Sequence, residues 1–564
     1  MDSRYDVVIV GGGHNGLAAA AYLARAGRSV CVLERRSVLG GSCVTEELMP
    51  GARFSSCAYI VSSLCPEVID DLELTRYGLE MYSTEALNFV MGPARDHLFI
   101  WRDIDRTVRG IEERSRHDAA NFIEFGARLR LFGETIRPFV MSSPPALSEV
   151  VAKFESMGRV DLFHDFAMLS IGDLLDRYFE SETLKAVLMF SALVSTIAGP
   201  NSSGSAYEFS HHSWGVFEGQ FGRFGYARGG MGSIAEALAA SARAAGAEIV
   251  LDAAVHRVLT DRRAVVGVEL DDGTVLRTAT VVSNVDPRTT LLVLVDPGEL
   301  PPETRRRVGL IDMRGSMGRV HFLVDRLPEY EGLPSGEGPQ HAAFTLLGVS
   351  RAEFERCWAA QLEGSLVSDY PIELLIPSVS EPGLAPPGLH TLTSGVQQLP
   401  FHLSSGDWDS RSDEFVDRVV KSISRFSPGF ESSIRESLAI TPLDLQRTYG
   451  LPEGNIFHGA MSLNQLFASR PVAGSNGYGT PIRGLYLCGA GMHPGGAVMG
   501  AAGRNAAMEL LGGKGHDREP QARPGGAAAL VNYATTNSRL SRIRYQVARN
   551  RLTRPFVKAL TRRR

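Results

Sequence analysis

The sequence predicts an α/β fold built on a parallel dinucleotide-binding sheet, with an α+β second domain inserted into it. Three observations predict it. The apolar run Tyr5–Val10 leads straight into Gly11-Gly12-Gly13-His14-Asn15-Gly16 and an alanine-rich stretch to Gly27, and a second apolar run, Ser29–Leu33, ends on Glu34. Gly11, Gly13 and Gly16 keep G-x-G-x-x-G spacing, with Glu34 lying 18 residues beyond Gly16. Far downstream, Arg483–Gly489 again reads as a buried strand, followed by the glycine-rich loop Ala490–Gly500 and a small-residue helix, Ala501–Leu511.

Each part of the first motif has a physical task. Gly11 turns the chain sharply off its strand. Gly13 lets a pyrophosphate approach the backbone, and Gly16 lets the helix pack closely on the sheet. The helix N-terminus offers free N–H groups and a partial positive charge to phosphates. Glu34 accepts hydrogen bonds from ribose hydroxyls and repels a 2′-phosphate. A second glycine pair, Gly40-Gly41, follows the strand that carries the acid. A plain NAD dehydrogenase does not need it, whereas flavoproteins of the glutathione-reductase-like (Rossmann-type) superfamily carry a comparable motif.

Further along, residues 76–224 read as mostly helical, a cap in which a substrate pocket could be built; Asp118–Phe139 shows apolar residues near helical spacing. The cap ends in an unusual polar and aromatic run that includes His211, His212 and Trp214. Gly229–Ser233 opens an amphipathic helix, two short strands follow, and Asp271-Asp272-Gly273-Thr274 marks a hairpin turn. Thr280–Asn284 returns to the main sheet. Residues 300–450 alternate strand-like segments with proline- and glycine-rich loops and suggest a second sheet. The predicted organisation is a nucleotide domain from 1–75, 225–300 and 450–512, and a substrate domain from 76–224 and 301–449. Residues 513–537 read as a linker. Residues 538–564 form a basic amphipathic tail with ten Arg/Lys and no Asp/Glu.

Bulk composition narrows the classes. A chain of 564 residues, 44% hydrophobic, supports two or three joined regions. The net charge of −5 leaves about −15 outside the tail, which argues against nucleic acid. Six cysteines, at 31, 43, 57, 65, 357 and 488, include no C-x-x-C pair, so neither a zinc pattern nor a disulfide framework is expected. That fits a reducing, cytoplasmic setting, with the tail as a peripheral membrane contact. No apolar run reaches the length of a membrane span, and no secretory signal precedes the nucleotide motif.

The motifs Val8–Gly16, Val32–Arg36, Leu39–Gly41, Val44–Glu47, Pro50-Gly51, Gly229–Gly232, Ser283–Pro287, Asn455–Gly459 and Gly489–Gly500 together resemble the phytoene desaturase and retinol saturase group within the flavin amine oxidase-like superfamily. The resemblance spans residues 5 to about 510. It implies bound FAD and hydride exchange between a substrate carbon and the flavin. Relatives of this kind desaturate or saturate long polyenes, so the direction does not carry over. Candidate cofactor-binding residues are Gly11, Gly13, Asn15, Gly16, Glu34, Arg35, Gly40, Gly41, Val255, Gly489 and Gly496. His493, in the loop expected to border the flavin, is the candidate catalytic group; His211, His212 and Trp214 are candidates for the substrate pocket; no metal ligands are expected. Disulfide reductase chemistry is disfavoured by the lack of paired cysteines, and a second nucleotide motif for NAD(P)H is absent from the sequence. The leading reading is an FAD oxidoreductase for a lipophilic, polyene-like small molecule. The alternatives are an FAD oxidase for an amine or natural-product intermediate, with one of five lysines beside the flavin, and a flavin-binding regulatory protein with little turnover.

Overall fold

A computed structural model describes residues 4–475 and 477–512. The linker and basic tail expected at 513–564 lie outside the described residues. Five short strands form a parallel sheet: β1 (Val7–Val10), β2 (Val30–Leu33), β3 (Glu248–Val250), β4 (Val281–Ser283) and β5 (Leu485–Leu487). Their order is β3-β2-β1-β4-β5, so the chain reverses direction across the sheet between β1 and β4. In open parallel sheets, a ligand crevice forms outside the carboxyl ends of the strands at such a switch point.

The strands form because Val, Ile and Leu runs can be covered on both faces. Every residue of β1 and β2 is buried, and each such side chain contributes roughly 1.5–3 kcal/mol on leaving water. Three helices cover one another and the sheet: α1 (His14–Arg25), α2 (Gly232–Ala244) and α3 (Ala501–Leu510). Their small residues set the spacing. A Cβ on Gly503 of α3 would lie 2.0 Å from the Asn15 carbonyl oxygen of α1, so only glycine permits this approach.

A second sheet of seven strands runs in the order 434–440, 316–324, 390–399, 372–375, 344–347, 86–91, 97–101. It is antiparallel except where 344–347 pairs parallel with 86–91. Two of its strands, Ala86–Met91 and His97–Trp101, come from the stretch expected to be mostly helical. The reason is legible afterwards in the alternation of residues 89–91: Phe89 and Met91 enter one hydrophobic cluster and Val90 the other. The remaining cap is helical, led by Arg116–Val140, and its Phe125, Phe132, Phe154 and Phe166 continue the core of the parallel sheet. The second cluster lies under the seven-stranded sheet, where Phe322 packs with Phe415, Val419 and Ile423 of the helix Trp408–Ser424. No helix among the described residues is long and apolar enough to cross a membrane.

Candidate active site

The site begins where β1 ends. Gly11 takes φ +97°, and its N–H donates to the Leu33 carbonyl at 2.8 Å. Gly16 sits directly above: a Cβ there would be 2.3 Å from the Gly11 oxygen. Gly13 precedes α1, whose start carries no side-chain cap, so its first N–H groups face the crevice as an anion site. Glu34 is 6% exposed. Its Oε2 accepts the Gly12 N–H at 2.7 Å and its Oε1 accepts the Arg36 N–H at 2.9 Å, which fixes the acid on the rim of the glycine turn. The second glycine pair docks on the first. Gly40 donates to the Gly12 carbonyl at 2.9 Å, and its φ of +113° brings it so close to the Cys43 carbonyl that a Cβ would stand 2.1 Å away.

From this turn a cavity of about 470 Å³ runs along the carboxyl ends of the strands, within the range of about 300–1,000 Å³ usual for cofactor sites. Of the candidate cofactor-binding residues, Gly11, Gly13, Asn15, Glu34, Arg35, Gly40, Gly41 and Val255 line it. Arg35 also bolts its edge, donating to the carbonyls of Arg447 and Thr448 at 3.2 and 2.8 Å. Gly16, Gly489 and Gly496 stand behind the wall rather than on it. A Cβ on Gly489 would meet the Asn284 carbonyl at 2.6 Å, and one on Gly496 would meet the Phe457 ring at 2.0 Å. The lining also includes Tyr59, Arg319, Ile456, Ala490, Ala497 and Val498. A glycine turn and open helix end for a pyrophosphate, an acid for a ribose, and a long second half with room for a ring system are the donor set an FAD molecule requires.

The histidines expected to do chemistry are placed elsewhere. His493 lines neither this cavity nor the smaller one beside Tyr59. Its Nε2 donates to the Phe139 carbonyl at 2.7 Å, and burial holds its pKa down near 4, so it is a neutral tie between the loop and the cap. His211 donates through Nε2 to the Gly496 carbonyl at 3.0 Å, and burial holds it near 3. His212 donates through Nδ1 to the carbonyls of Ser191 and Glu208. Trp214 packs edge-on to His211, 4.7 Å between centroids. These four residues sit at the junction of cap and loop, where each has backbone or ring partners, and none of them lines the two cavities described.

Other members of the site gave little signal in the sequence. Asn284, directly after β4, lines the cavity and places its Nδ2 2.5 Å from where a Gly13 Cβ would be. Arg470, 1% exposed, donates to the carbonyls of Phe457, Gly459, Ala460, Gln465 and Ala490, gathering the loop behind the cavity. His14 lines the cavity with burial depressing its pKa to about 4, and the neighbouring His458 is depressed by burial as well. All six cysteines are free and buried. Burial pushes the thiols of Cys43 and Cys57 up to about 12, which removes the thiolate that disulfide exchange needs.

Comparison with known proteins agrees with this geometry. Residues 16–511 match the family model of flavin-containing amine oxidoreductases. The chain is 36% identical to rat pyridine nucleotide-disulfide oxidoreductase domain-containing protein 2 over 90% of its own length and 93% of the relative's. A phytoene desaturase (neurosporene-forming) of Cereibacter sphaeroides is 27% identical over 89% of this chain and 94% of its own. Among solved structures, a putrescine oxidase bound to putrescine shares the fold with a TM-score of 0.57 at 17% identity, covering 90% of this chain and 98% of that one. The resemblance drawn from the motifs is upheld, and with the nucleotide cleft it identifies the chain as an FAD-dependent oxidoreductase of the flavin-containing amine oxidoreductase family.

Proposed function

We propose that the protein moves a hydride between a carbon of a lipophilic, isoprenoid-like substrate and its flavin, in the manner of a desaturase or a saturase/isomerase. Bound FAD supplies the two-electron acceptor or donor; the protein supplies binding, orientation and a dry site. The observation that carries the reading is the apolar part of the cleft lining. Ile456, Ala490, Ala497 and Val498 present hydrocarbon there, and no lysine among the described residues lines it. Lys185, the most buried of the described lysines, is tied to Asp176 and Glu182 on the cap. Hydride transfer needs apposition and exclusion of water more than an acid–base pair. The neutral His14 and His458 and the apolar wall suit that demand. The likeness to a phytoene desaturase over nine-tenths of the chain supports the substrate class.

The glycine turn, Glu34 and Asn284 would hold the adenosine diphosphate half of FAD, and the loop gathered by Arg470 would back the cleft that takes its flavin. A substrate of this kind partitions into membranes, and the basic stretch 538–564 is the surface proposed to reach it; its deletion then lowers liposome binding at low salt. The deciding experiment is anaerobic titration of the flavin-loaded protein with a panel of polyenes, lipids and amines. Bleaching of the visible flavin band by polyenes or lipids is expected. Bleaching by amines alone would end this reading.

A further inference from the structure

Arg319 is the one cationic side chain that the second sheet contributes to the cleft among the described residues. It is 1% exposed. Its Nη1 donates to Glu373 Oε1 at 3.2 Å, and its guanidinium lies over the Tyr59 ring, 3.9 Å from the centroid. Glu373 is itself clamped: the Tyr59 hydroxyl donates to Oε2 at 2.8 Å and Gln397 donates to Oε1 at 3.4 Å. Room for that carboxylate exists because residue 395 is glycine; a Cβ there would fall 1.6 Å from Oε1. The guanidinium is thus fixed in its plane by an aromatic face and at one end by a carboxylate.

Two of its donors are left over. Nε and Nη2 have no hydrogen-bond partner although both are buried. A guanidinium stays charged under all working conditions and presents its donors as a rigid fork suited to carboxylate and carbonyl oxygens. The place is also informative. Tyr59 borders both the cofactor cleft and the small pocket formed by Tyr82, Tyr226, Leu375, Ile376 and Glu381, so Arg319 stands where the cleft meets the second sheet.

We propose that Arg319 is the anchor for a substrate oxygen, and that the substrates are lipophilic acids, aldehydes or ketones rather than bare hydrocarbons. This rests on the lipophilic reading above and sharpens it. An unsubstituted hydrocarbon would leave both donors buried and unmet, and a site built to hydrogen-bond an oxygen discriminates strongly against the analogue that lacks it. Glu373 neutralises the guanidinium, so an uncharged carbonyl and a carboxylate both fit. The same donors would also suit a ring carbonyl of the cofactor, and the test separates the two sources.

The flavin-loaded protein is titrated with geranic acid, with citral and with myrcene, a matched acid, aldehyde and hydrocarbon, and binding is read from the perturbed flavin spectrum without turnover. The wild type is expected to bind the oxygenated probes at least about tenfold more tightly than myrcene. Arg319→Met loses that preference. Because that change strands Glu373, the double variant Arg319→Met/Glu373→Gln is measured beside it, and Arg319→Lys is expected to restore part of the preference. Equal affinity for all three probes in the wild type, or a preference that survives the double variant, overturns the anchor. So does a double variant whose ligand-free flavin spectrum and reduction potential shift while the preference stays, since the donors then belong to the cofactor ring. A protein that binds none of the three overturns the lipophilic reading and the anchor together; one that binds all three alike overturns the anchor alone.

Discussion

The His211 imidazole and the Gly496 carbonyl are hydrogen-bonded at 3.0 Å across 285 residues of chain. His211 lies in the last turn of the helix Ser205–His212 of the cap, and Gly496 lies in the loop between β5 and α3. The bond therefore ties the cap to the loop whose Ala497 and Val498 line the cleft. With its pKa held near 3 by burial, the ring is neutral, and Nε2 carries the proton because its partner can only accept. His211→Phe keeps the aromatic volume and removes the donor. It is expected to cost about 1–2 kcal/mol and to loosen FAD, seen as a lower melting temperature and a lower flavin-to-protein ratio after dialysis. Full flavin retention and an unchanged melting temperature would count against the tie.

Glu34 has two employments, one structural and one for the ligand. Its carboxylate holds the N–H groups of Gly12 and Arg36 while standing at the ribose end of the cleft. Glu34→Gln keeps one acceptor oxygen and loses the charge, and Glu34→Ala loses both. With hydrogen bonds to charged groups worth about 1.5–3 kcal/mol, Glu34→Ala is expected to weaken FAD binding by roughly 10- to 100-fold, and Glu34→Gln by less. Fluorescence titration of the apoprotein with FAD checks the order; equal affinity in both variants and the wild type would remove the ribose role.

Gly13 and Gly16 separate cofactor affinity from folding. A Cβ on Gly13 meets the tip of the Asn284 side chain at 2.5 Å, a group that can swing aside, whereas one on Gly16 meets the Gly11 carbonyl at 2.3 Å, which cannot. Gly16→Ala is expected to cost about 1–3 kcal/mol through strain between helix and strand, and Gly13→Ala to lower FAD affinity with a smaller loss of stability. Thermal melts of the apoproteins, compared with FAD titrations, distinguish the two; identical losses in both measurements would refute the division.

The same contrast explains what could be read from the chain beforehand. The first nucleotide motif was legible because its strand, turn, helix and acid lie within residues 5–34, where one residue's neighbours in sequence are its neighbours in space. Gly40-Gly41 was legible for the same reason, docking on Gly12 nearby. Arg470 was not: its five carbonyl partners come from an irregular loop with no hydrophobic period, and nothing in the sequence marks a buried arginine. Arg319 was hidden differently, inside an apolar strand whose register with residues 373 and 395 is set by sheet pairing. His493 and the His211-His212-Trp214 group drew attention as polar residues in functional-looking stretches; the hydrogen bonds of the three histidines to cap and loop carbonyls could not be read from the sequence.

Beside Arg470 lies Glu208, buried and with Oε1 unpartnered. Burial raises its pKa well above the ordinary carboxyl range and outweighs the nearby Arg470 charge, while burial lowers Arg470 to about 10. The direction of this shift predicts that Glu208 keeps its proton and acts as an uncharged group. Glu208→Gln is nearly isosteric with that form and is expected to change stability at pH 7 by less than about 1 kcal/mol. Arg470→Met leaves five loop carbonyls without their donor and is expected to cost about 3–5 kcal/mol. Chemical denaturation of both proteins tests the pair: a large loss in Glu208→Gln would mean that the carboxylate is ionised.

Acid should destabilise the protein in a defined window. His14, His211, His321 and His493 are held by burial near 4, 3, 3 and 4, below the ordinary histidine value of 6.5. Between pH 6.5 and about 4 the unfolded chain binds more protons at these sites than the folded one, so stability rises with pH there and is lost as pH falls. At pH 5.5 each histidine accounts for about 1 kcal/mol of that loss. Glu208 acts in the opposite sense, because burial raises it and unfolding releases its proton above the ordinary carboxyl range. His97, His212, His390 and His458 are lowered by burial as well, so the histidine uptakes outweigh this release and give a net fall in melting temperature from pH 7 to pH 5.5. Glu208→Gln removes one opposing release, so its melting temperature is expected to drop more steeply over the same interval. A parallel or shallower slope in the variant would show that Glu208 does not hold its proton in the folded protein.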